Sequence, residues 1–247
     1  MTDSDTAPWL GASARFETTR WTVVLRAGRD GPERAAALEK FCATYWYPVY
    51  AFIRRRGAGP DDARDLAQEF FARLVGKDWL SGVERRDTRF STLLLTMLKR
   101  FLVNEYERGL AAKRGGGSVP LSIDVAQAER WFGAEPSTDE TPEKTFERRW
   151  ALAVLAAGLD RLREELAAIG KLQHFEVLSP FLSREPDARD YEVAGTALDL
   201  PARTVAVAVH RLRARYRDAL RDELTAGSAD RARADEEMHN LSRALAG

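Results

Sequence analysis

The stretch Asp190–Leu220, DYEVAGTALDLPARTVAVAVHRLRARYRDAL, decides how the rest of the chain is read. It parses as a short helix, a tight turn and a long second helix. In the second helix Val205, Val209, Leu212 and Tyr216 recur at spacings of four, three and four, which predicts one buried stripe. Arg203, His210, Arg211, Arg213, Arg215, Arg217 and Arg221 mostly fall away from that stripe. An amphipathic helix with a basic outer face, preceded by a short helix and a turn, suits the major groove of DNA. The plainer reading is a surface helix whose arginines are merely solvated.

Composition narrows the classes. With 247 residues, 45% hydrophobic and 31% charged, the chain can bury a sizeable core and does not read as disordered. Its formal net charge is zero, so any affinity for nucleic acid has to be local. Ala202–Arg221 supplies that local charge, while acids gather in the linker and the C-terminal tail. One cysteine, Cys42, excludes an intramolecular disulfide and suits a reducing cytoplasm. The start, MTDSDTAPW, is acidic and has no apolar centre, so it does not read as a secretory signal. The longest uncharged apolar run, Ala151–Leu159, is far too short to span a bilayer. A soluble, cytoplasmic protein with no membrane partner is expected.

Going back to the beginning of the chain, RWTVVLR (Arg20–Arg26) predicts a short first helix, and Gly28–Pro32 a turn. A helix over 33–56 carries Leu38, Phe41, Cys42, Tyr45, Val49, Phe52 and Ile53 at helical spacing. Pro48 within it predicts a kink or break near Tyr45–Tyr47. The aromatic cluster Tyr45, Trp46, Tyr47, Tyr50 and Phe52 reads either as core or as a base-stacking platform. After a turn at Gly57–Pro60, a helix to about Val75 turns Leu66, Phe70 and Leu74 inward and Asp65, Gln68 and Glu69 outward. A loop over 77–89 leads to a long helix from Phe90 or Ser91 to about Leu110. Its inner residues are Leu94, Leu98, Phe101 and Leu102, and its outer face holds Lys99, Arg100, Asn104 and Arg108 before Lys113 and Arg114.

From Gly115 to about Thr145 the composition turns to Gly, Pro, Ser, Thr and Asp, with one apolar knot at Trp131 and Phe132 that could dock on a neighbour. This reads as a linker between two domains. KRGGGS at its start lacks the preceding strand and the Lys-Ser/Thr of a phosphate-cradling loop. A helix from Phe146 to a C-cap at Gly170 then presents Trp150, Val154, Leu155, Leu159, Leu162, Leu166 and Ile169. Phe175, Leu178, Phe181 and Leu182 form another short helix, and Asp230–Leu245 a last amphipathic one that should dock on the body. No segment alternates as a strand does, so the fold class is all-α.

Catalytic patterns are missing. His174, His210 and His239 lie far apart with no metal-ligand spacing, so no metal is expected. Cys42 sits on an apolar stripe and reads as a small buried hydrophobe rather than a nucleophile. Acid pairs such as Asp61/Asp62 and Glu164/Glu165 suit caps and solvated faces. No enzyme activity and no cofactor are expected.

Two separated features now agree. DDARDLAQEFFARL (Asp61–Leu74) resembles the "DAeDLvQevF" signature of bacterial sigma-70 factors, and a Phe-initiated helix with a basic end follows it. Tyr191–Arg217 resembles that family's C-terminal helix-turn-helix. The whole is similar to extracytoplasmic-function (ECF) sigma factors, which keep only the second and fourth sigma domains. YWYP, the FF after DLAQE, KRGGG and the acidic C-terminal helix look like a branch common in planctomycete-type bacteria. The resemblance implies two helical domains, a sigma-2-like bundle over 16–114 and a sigma-4-like helix-turn-helix over 146–225. A linker over 115–145 joins them, and an amphipathic tail over 226–247 follows.

It also implies partners and residues. Asp65, Gln68 and Glu69 would grip the β′ clamp helices of core RNA polymerase, an acidic face against a basic coiled coil; the β flap is the second polymerase contact. Lys99, Arg100, Asn104, Arg108, Lys113 and Arg114 would contact phosphates or unpaired bases of the −10 element. On the −35 element, Ala202, Arg203, Thr204, Ala206, Val207 and His210 would lie in the groove, with base edges facing all but Thr204. Arg211, Arg213 and Arg217 would hold phosphates. An anti-sigma factor or kinase is a further partner type of the family. A regulator that uses the same helix-turn-helix without joining polymerase is the alternative.

The chain departs from the family pattern at several places. Leu93 and Arg100 stand where Trp and Asn are common in the melting helix. Asp199 replaces the usual Gly of the turn and would have to be left-handed. Pro201 replaces the N-cap Ser or Thr. Gly195 replaces a common Ala, which predicts a loosening of about 1 kcal/mol.

Overall fold

The computed structural model describes residues 32–75, 90–109, 124–134, 140–225 and 231–246. Among these residues the chain forms nine α-helices, one 3-10 turn and no strand. They are α1 (Pro32–Arg55), α2 (Pro60–Val75), α3 (Phe90–Gly109), α4 (Val125–Gly133), α5 (Pro142–Ala168), α6 (Leu172–Leu178), the 3-10 turn Ser179–Leu182, α7 (Ala188–Leu198), α8 (Ala202–Thr225) and α9 (Arg231–Ala246). Arg20–Arg26, the loop over 77–89 and the start of the linker lie outside the described residues.

The first core is built of rings. Phe41, Tyr45, Tyr50 and Phe52 of α1, Phe70 and Phe71 of α2, and Phe101 of α3 are all buried. They meet edge to face, as in Phe41–Phe71 at 6.3 Å and Phe70–Phe101 at 5.6 Å between centroids, the arrangement the ring quadrupole favours. α1 runs through Pro48 without a break. The burial of Val49, Tyr50, Phe52 and Ile53 just beyond it outweighs the one lost backbone bond. The aromatic cluster of α1 is thereby core: Tyr45, Tyr50 and Phe52 point inward.

Two further rings come from α5. Trp150 stacks on Tyr45 at 4.1 Å with 16° between planes, and Phe146 meets Phe52 edge-on. The boundary drawn at residues 145/146 therefore falls inside a helix. α5 starts earlier because Thr141 caps the Lys144 N–H at 3.3 Å and Pro142 occupies the first turn. Its first half fills the first core, and its second half supplies Leu162 and Leu166 to another. It closes at Gly170, φ +71°, with Lys171 N–H on Leu166 O at 2.7 Å and Gly170 N–H on Ala167 O at 3.0 Å, a Schellman motif.

The second core is mostly aliphatic. Leu162 and Leu166 pack with Phe175, Leu178 and Phe181, Ala194 of α7, and Val205, Ala208, Val209 and Leu212 of α8. The predicted stripe of α8 is thus buried. Tyr216, at its end, is half-buried and donates its hydroxyl to Leu155 O at 2.9 Å.

Within the expected linker, α4 is an ordered helix seated on α1. Asp124 caps it by accepting from Gln127 N–H at 3.0 Å. Trp131 packs against Trp46 and Tyr47, and the Arg54 guanidinium lies over the Phe132 ring at 4.8 Å. Arg54 also forks onto Glu129 at 2.8 and 2.9 Å, while Tyr50 donates to the same carboxylate at 2.6 Å. This two-pronged, charge-assisted pairing holds Glu129 below the ordinary carboxylate range. The tail helix α9 buries Leu241 and packs Met238 and Leu245 against the first core.

Candidate nucleic-acid and partner interface

The helix-turn-helix is set by its caps. Asp187 accepts from Asp190 N–H at 2.9 Å, and Asp190 returns a bond to Asp187 N–H at 3.0 Å, so α7 opens on a capping box built from two aspartates. Arg184 grips Asp190 with both terminal nitrogens, at 2.5 and 2.7 Å, which holds that carboxyl down to about 2. α7 ends at Asp199, φ 54° and ψ 48°, the left-handed conformation its place in the turn requires. Gly195 explains why the turn is so tight. A Cβ there would stand 2.6 Å from Leu200 O, so the loosening predicted for Gly195 is the wrong account: the missing side chain lets the chain cross its own helix.

α8 then leaves one face open. Arg203, Val207, His210 and Arg217 are exposed, and Ala202, Ala206 and Arg211 are half-exposed beside them. Thr204 is not on this face. It is only 6% exposed, because it lies next to Val205 on the side turned toward the second core, so the expectation that it lies in the groove is corrected.

The arginine run divides. Arg213 donates to Phe181 O and to Arg184 O, each at 2.9 Å, and pairs with Glu185. Glu185 in turn sits below the usual carboxylate range because of that guanidinium. The expectation that Arg213 holds a DNA phosphate is therefore corrected: its donors are engaged in fastening α8 to the 3-10 turn and the loop before α7. Arg215 meets Glu165 at 3.0 Å, and Arg161 bridges Glu165 and Asp222 at 3.2 and 3.0 Å. Arg221 pairs with Asp218 and with Asp235 of α9. These partners lie up to 61 residues apart in sequence, and helical periodicity carries no signal of them.

On α2, Asp65 is exposed and Gln68 and Glu69 are half-exposed, three and four residues further along the same side. The structure thus brings the three together as one polar stripe. Its charge is partly engaged: Asp65 accepts from Arg64 at 2.9 Å, and Glu69 pairs with Arg73 at 2.8 Å. Arg73 also meets Glu105 of α3 at 2.8 Å and lies over the Phe101 ring, locking α2 to α3. The inward stripe of α2 runs through Ala63, Ala67, Phe70, Phe71 and Leu74, with Leu66 half-buried at its edge.

On α3, Arg100 and Asn104 are exposed. Lys99 is half-exposed and pairs with Glu143 at the start of α5 at 2.8 Å, which lowers the Glu143 carboxyl. The side chain of Arg108, and Lys113 and Arg114 altogether, lie outside the described residues.

Cys42 is buried, and desolvation pushes its thiol up to about 12, so it packs as a hydrophobe and supplies no thiolate. Among the described residues no group of His, Cys, Asp or Glu is placed to hold a metal ion. No helix among them is long and apolar enough to cross a membrane.

A family model described as ECF sigma factor matches residues 52–222, a span that takes in α2, α3 and nearly all of α8. No curated protein and no solved structure matches the chain.

Proposed function

Since the chain belongs to the ECF sigma factor family, we propose that it recruits core RNA polymerase, carries it to −35 and −10 promoter elements and assists duplex opening without catalysis of its own. Family membership gives the role of an RNA polymerase sigma factor in transcription initiation; the division of labour among residues is our reading. Asp65, Gln68 and Glu69 dock on the β′ clamp helices, whose basic character suits an acidic and amide stripe. The open face of α8 reads the −35 element: Arg203, Ala206, Val207 and His210 meet base edges, and Arg211 and Arg217 hold phosphates. Arg100, Asn104 and the basic residues that follow them in sequence engage the −10 element. The β flap and an anti-sigma factor or kinase are further partners, the cytoplasm is the place of action, and membership of the planctomycete-type branch belongs to the same proposal.

The observation that carries this reading is the single family match running from the polar stripe of α2 to the exposed basic face of α8. It is tested by co-purification with core polymerase, followed by transcription in vitro from a random promoter library. The wild-type chain should form a stable complex and enrich two spaced elements. Gln68→Ala combined with Glu69→Ala should lower complex formation about tenfold or more, as loss of central interface residues does. If the chain binds duplex DNA but never polymerase, it is a helix-turn-helix regulator and the proposal fails.

A further inference from the structure

Where α5, α8 and α9 come together beside the first turn of α3, the packing leaves a cleft of about 450 Å³. That size lies in the ordinary range of small-molecule sites. Its apolar surface comes from Trp150 and Ala151 of α5, Leu224 near the end of α8, and Leu241 and Ala244 of α9. An adjoining void of about 20 Å³ carries the same surface inward to Phe41, Tyr45 and Phe90. The two long walls are charged, and each carries both signs. α5 presents Lys144 and Glu147, three residues apart and so on one side of the helix; α9 presents Glu237 and Arg243. Among the described residues neither Lys144 nor Arg243 pairs with a carboxylate, unlike Arg148, which meets Glu140 at 3.2 Å. Asn240, also on the α9 wall, gives its oxygen to the Arg243 guanidinium and leaves Nδ2 buried without a partner. A buried donor of this kind calls for an acceptor.

We propose that this cleft binds a small zwitterion with an apolar body, an amino acid or a short apolar peptide. Lys144 and Arg243 hold its carboxylate, and Glu147 and Glu237 hold its ammonium. Charge decides against the simpler classes. A wholly apolar ligand would take water from four charged side chains and return no hydrogen bond. A phosphate would meet two carboxylates, and a polyamine would meet two cations. A zwitterion pairs with both signs, and its apolar part lies along Trp150 and Leu241. Its carboxylate also supplies the acceptor that Asn240 Nδ2 lacks, once the amide turns toward the cleft. Because the walls belong to separate helices, the bound ligand ties α9 to α5 and to the end of α8, and so tightens the tail on the first core. The site is independent of the reading of the chain as a sigma factor, and either can fail alone.

The test is calorimetric titration and thermal unfolding of the purified full chain, with L-leucine, L-phenylalanine and leucyl-leucine as probes. At least one of them should bind saturably and raise Tm. The tighter of leucine and leucyl-leucine decides between an amino acid and a peptide. N-acetyl-leucine lacks the ammonium and leucinamide lacks the carboxylate; each should bind about tenfold more weakly, the scale of one lost charged contact. Glycine, which lacks the apolar body, should also bind poorly. Arg243→Ala and Glu237→Gln should each weaken the tightest probe about tenfold with the circular dichroism of the chain unchanged. Ala244→Trp, which fills the cleft, should abolish binding. The proposal is overturned if no zwitterion binds saturably or if the capped analogues bind as well as the parent. Wild-type affinity in Arg243→Ala, Glu237→Gln and Ala244→Trp would overturn it too, because the ligand would then sit elsewhere.

Discussion

Both halves of α8 carry arginines, and the back half ties most of its own to other parts of the molecule. In the front half, from Ala202 to Arg211, the exposed side is made of Arg203, Val207 and His210, with small alanines between them. In the back half, Arg213, Arg215 and Arg221 are engaged with Phe181 O, Glu165, Glu185 and Asp235 from other parts of the molecule. A run of basic residues on an amphipathic helix is thus not by itself a nucleic-acid footprint. The back half fixes the helix on α5, α9 and the loop before α7. The front half keeps Arg203, Val207 and His210 exposed, and in the proposed function it is the part that enters a groove.

The contrast is broken most directly by comparing Arg203→Ala with Arg213→Ala. Arg203→Ala should change which −35 sequences are selected, with a loss of about 1–3 kcal/mol on the preferred site if the guanidinium forks onto a base. Competition binding of holoenzyme to matched and mismatched promoters reads this out. Arg213→Ala should leave base preference and the salt dependence of binding unchanged, because no phosphate contact is removed. It should instead lower the unfolding stability by about 1–2 kcal/mol, as carbonyls at Phe181 and Arg184 lose their donor. A flattened salt slope in Arg213→Ala would erase the distinction between the two halves.

Gly195→Ala examines the turn that aims the front half. Helix propensity alone favours alanine by about 1 kcal/mol. The structure predicts the opposite sign, because a Cβ at 2.6 Å from Leu200 O meets backbone and not a side chain that could swing away. Overpacking of that kind costs about 1–3 kcal/mol. The net expectation is a destabilisation of about 1 kcal/mol in chemical denaturation, with weaker −35 binding as the angle between α7 and α8 opens. A more stable Gly195→Ala chain would show that the turn has slack.

Much of this was legible from periodicity. The buried stripes of α1, α2, α3 and α8 follow from three- and four-residue spacings, and the cap at Gly170 and the left-handed Asp199 from turn chemistry. Periodicity reports which side of a helix faces inward but not what it meets there. That is why α5 read as the start of a second domain although Phe146 and Trp150 belong to the first core. It is also why Thr204 read as a groove residue, and why Arg213 read as a phosphate anchor. Glu129 and Trp131 make α4 an ordered helix only because Arg54, Tyr50 and Trp46 are waiting on α1, some 75 residues away for the Arg54–Glu129 pair. Composition over 115–145 as a whole, rich in Gly, Pro, Ser, Thr and Asp, pointed to a linker, with Trp131 and Phe132 as an apolar knot that could dock on a neighbour.

The smallest effect is expected at Asp199, and its sign is informative. Asp199 is the only non-glycine with positive φ among the described residues. An L-residue in that region carries strain, about 1–2 kcal/mol for most side chains and less for Asp, whose short polar side chain tolerates it. Asp199→Gly removes the strain but enlarges the freedom of the unfolded chain, which offsets part of the gain. The balance should be a stabilisation of no more than about 1 kcal/mol, measured as a small rise in Tm, with −35 preference unchanged because Asp199 lies before the reading face. If Asp199→Gly were destabilising, the aspartate side chain would be contributing a contact of its own to the turn. The front half of α8 would then be held by that carboxylate as well as by the Gly195 crossing.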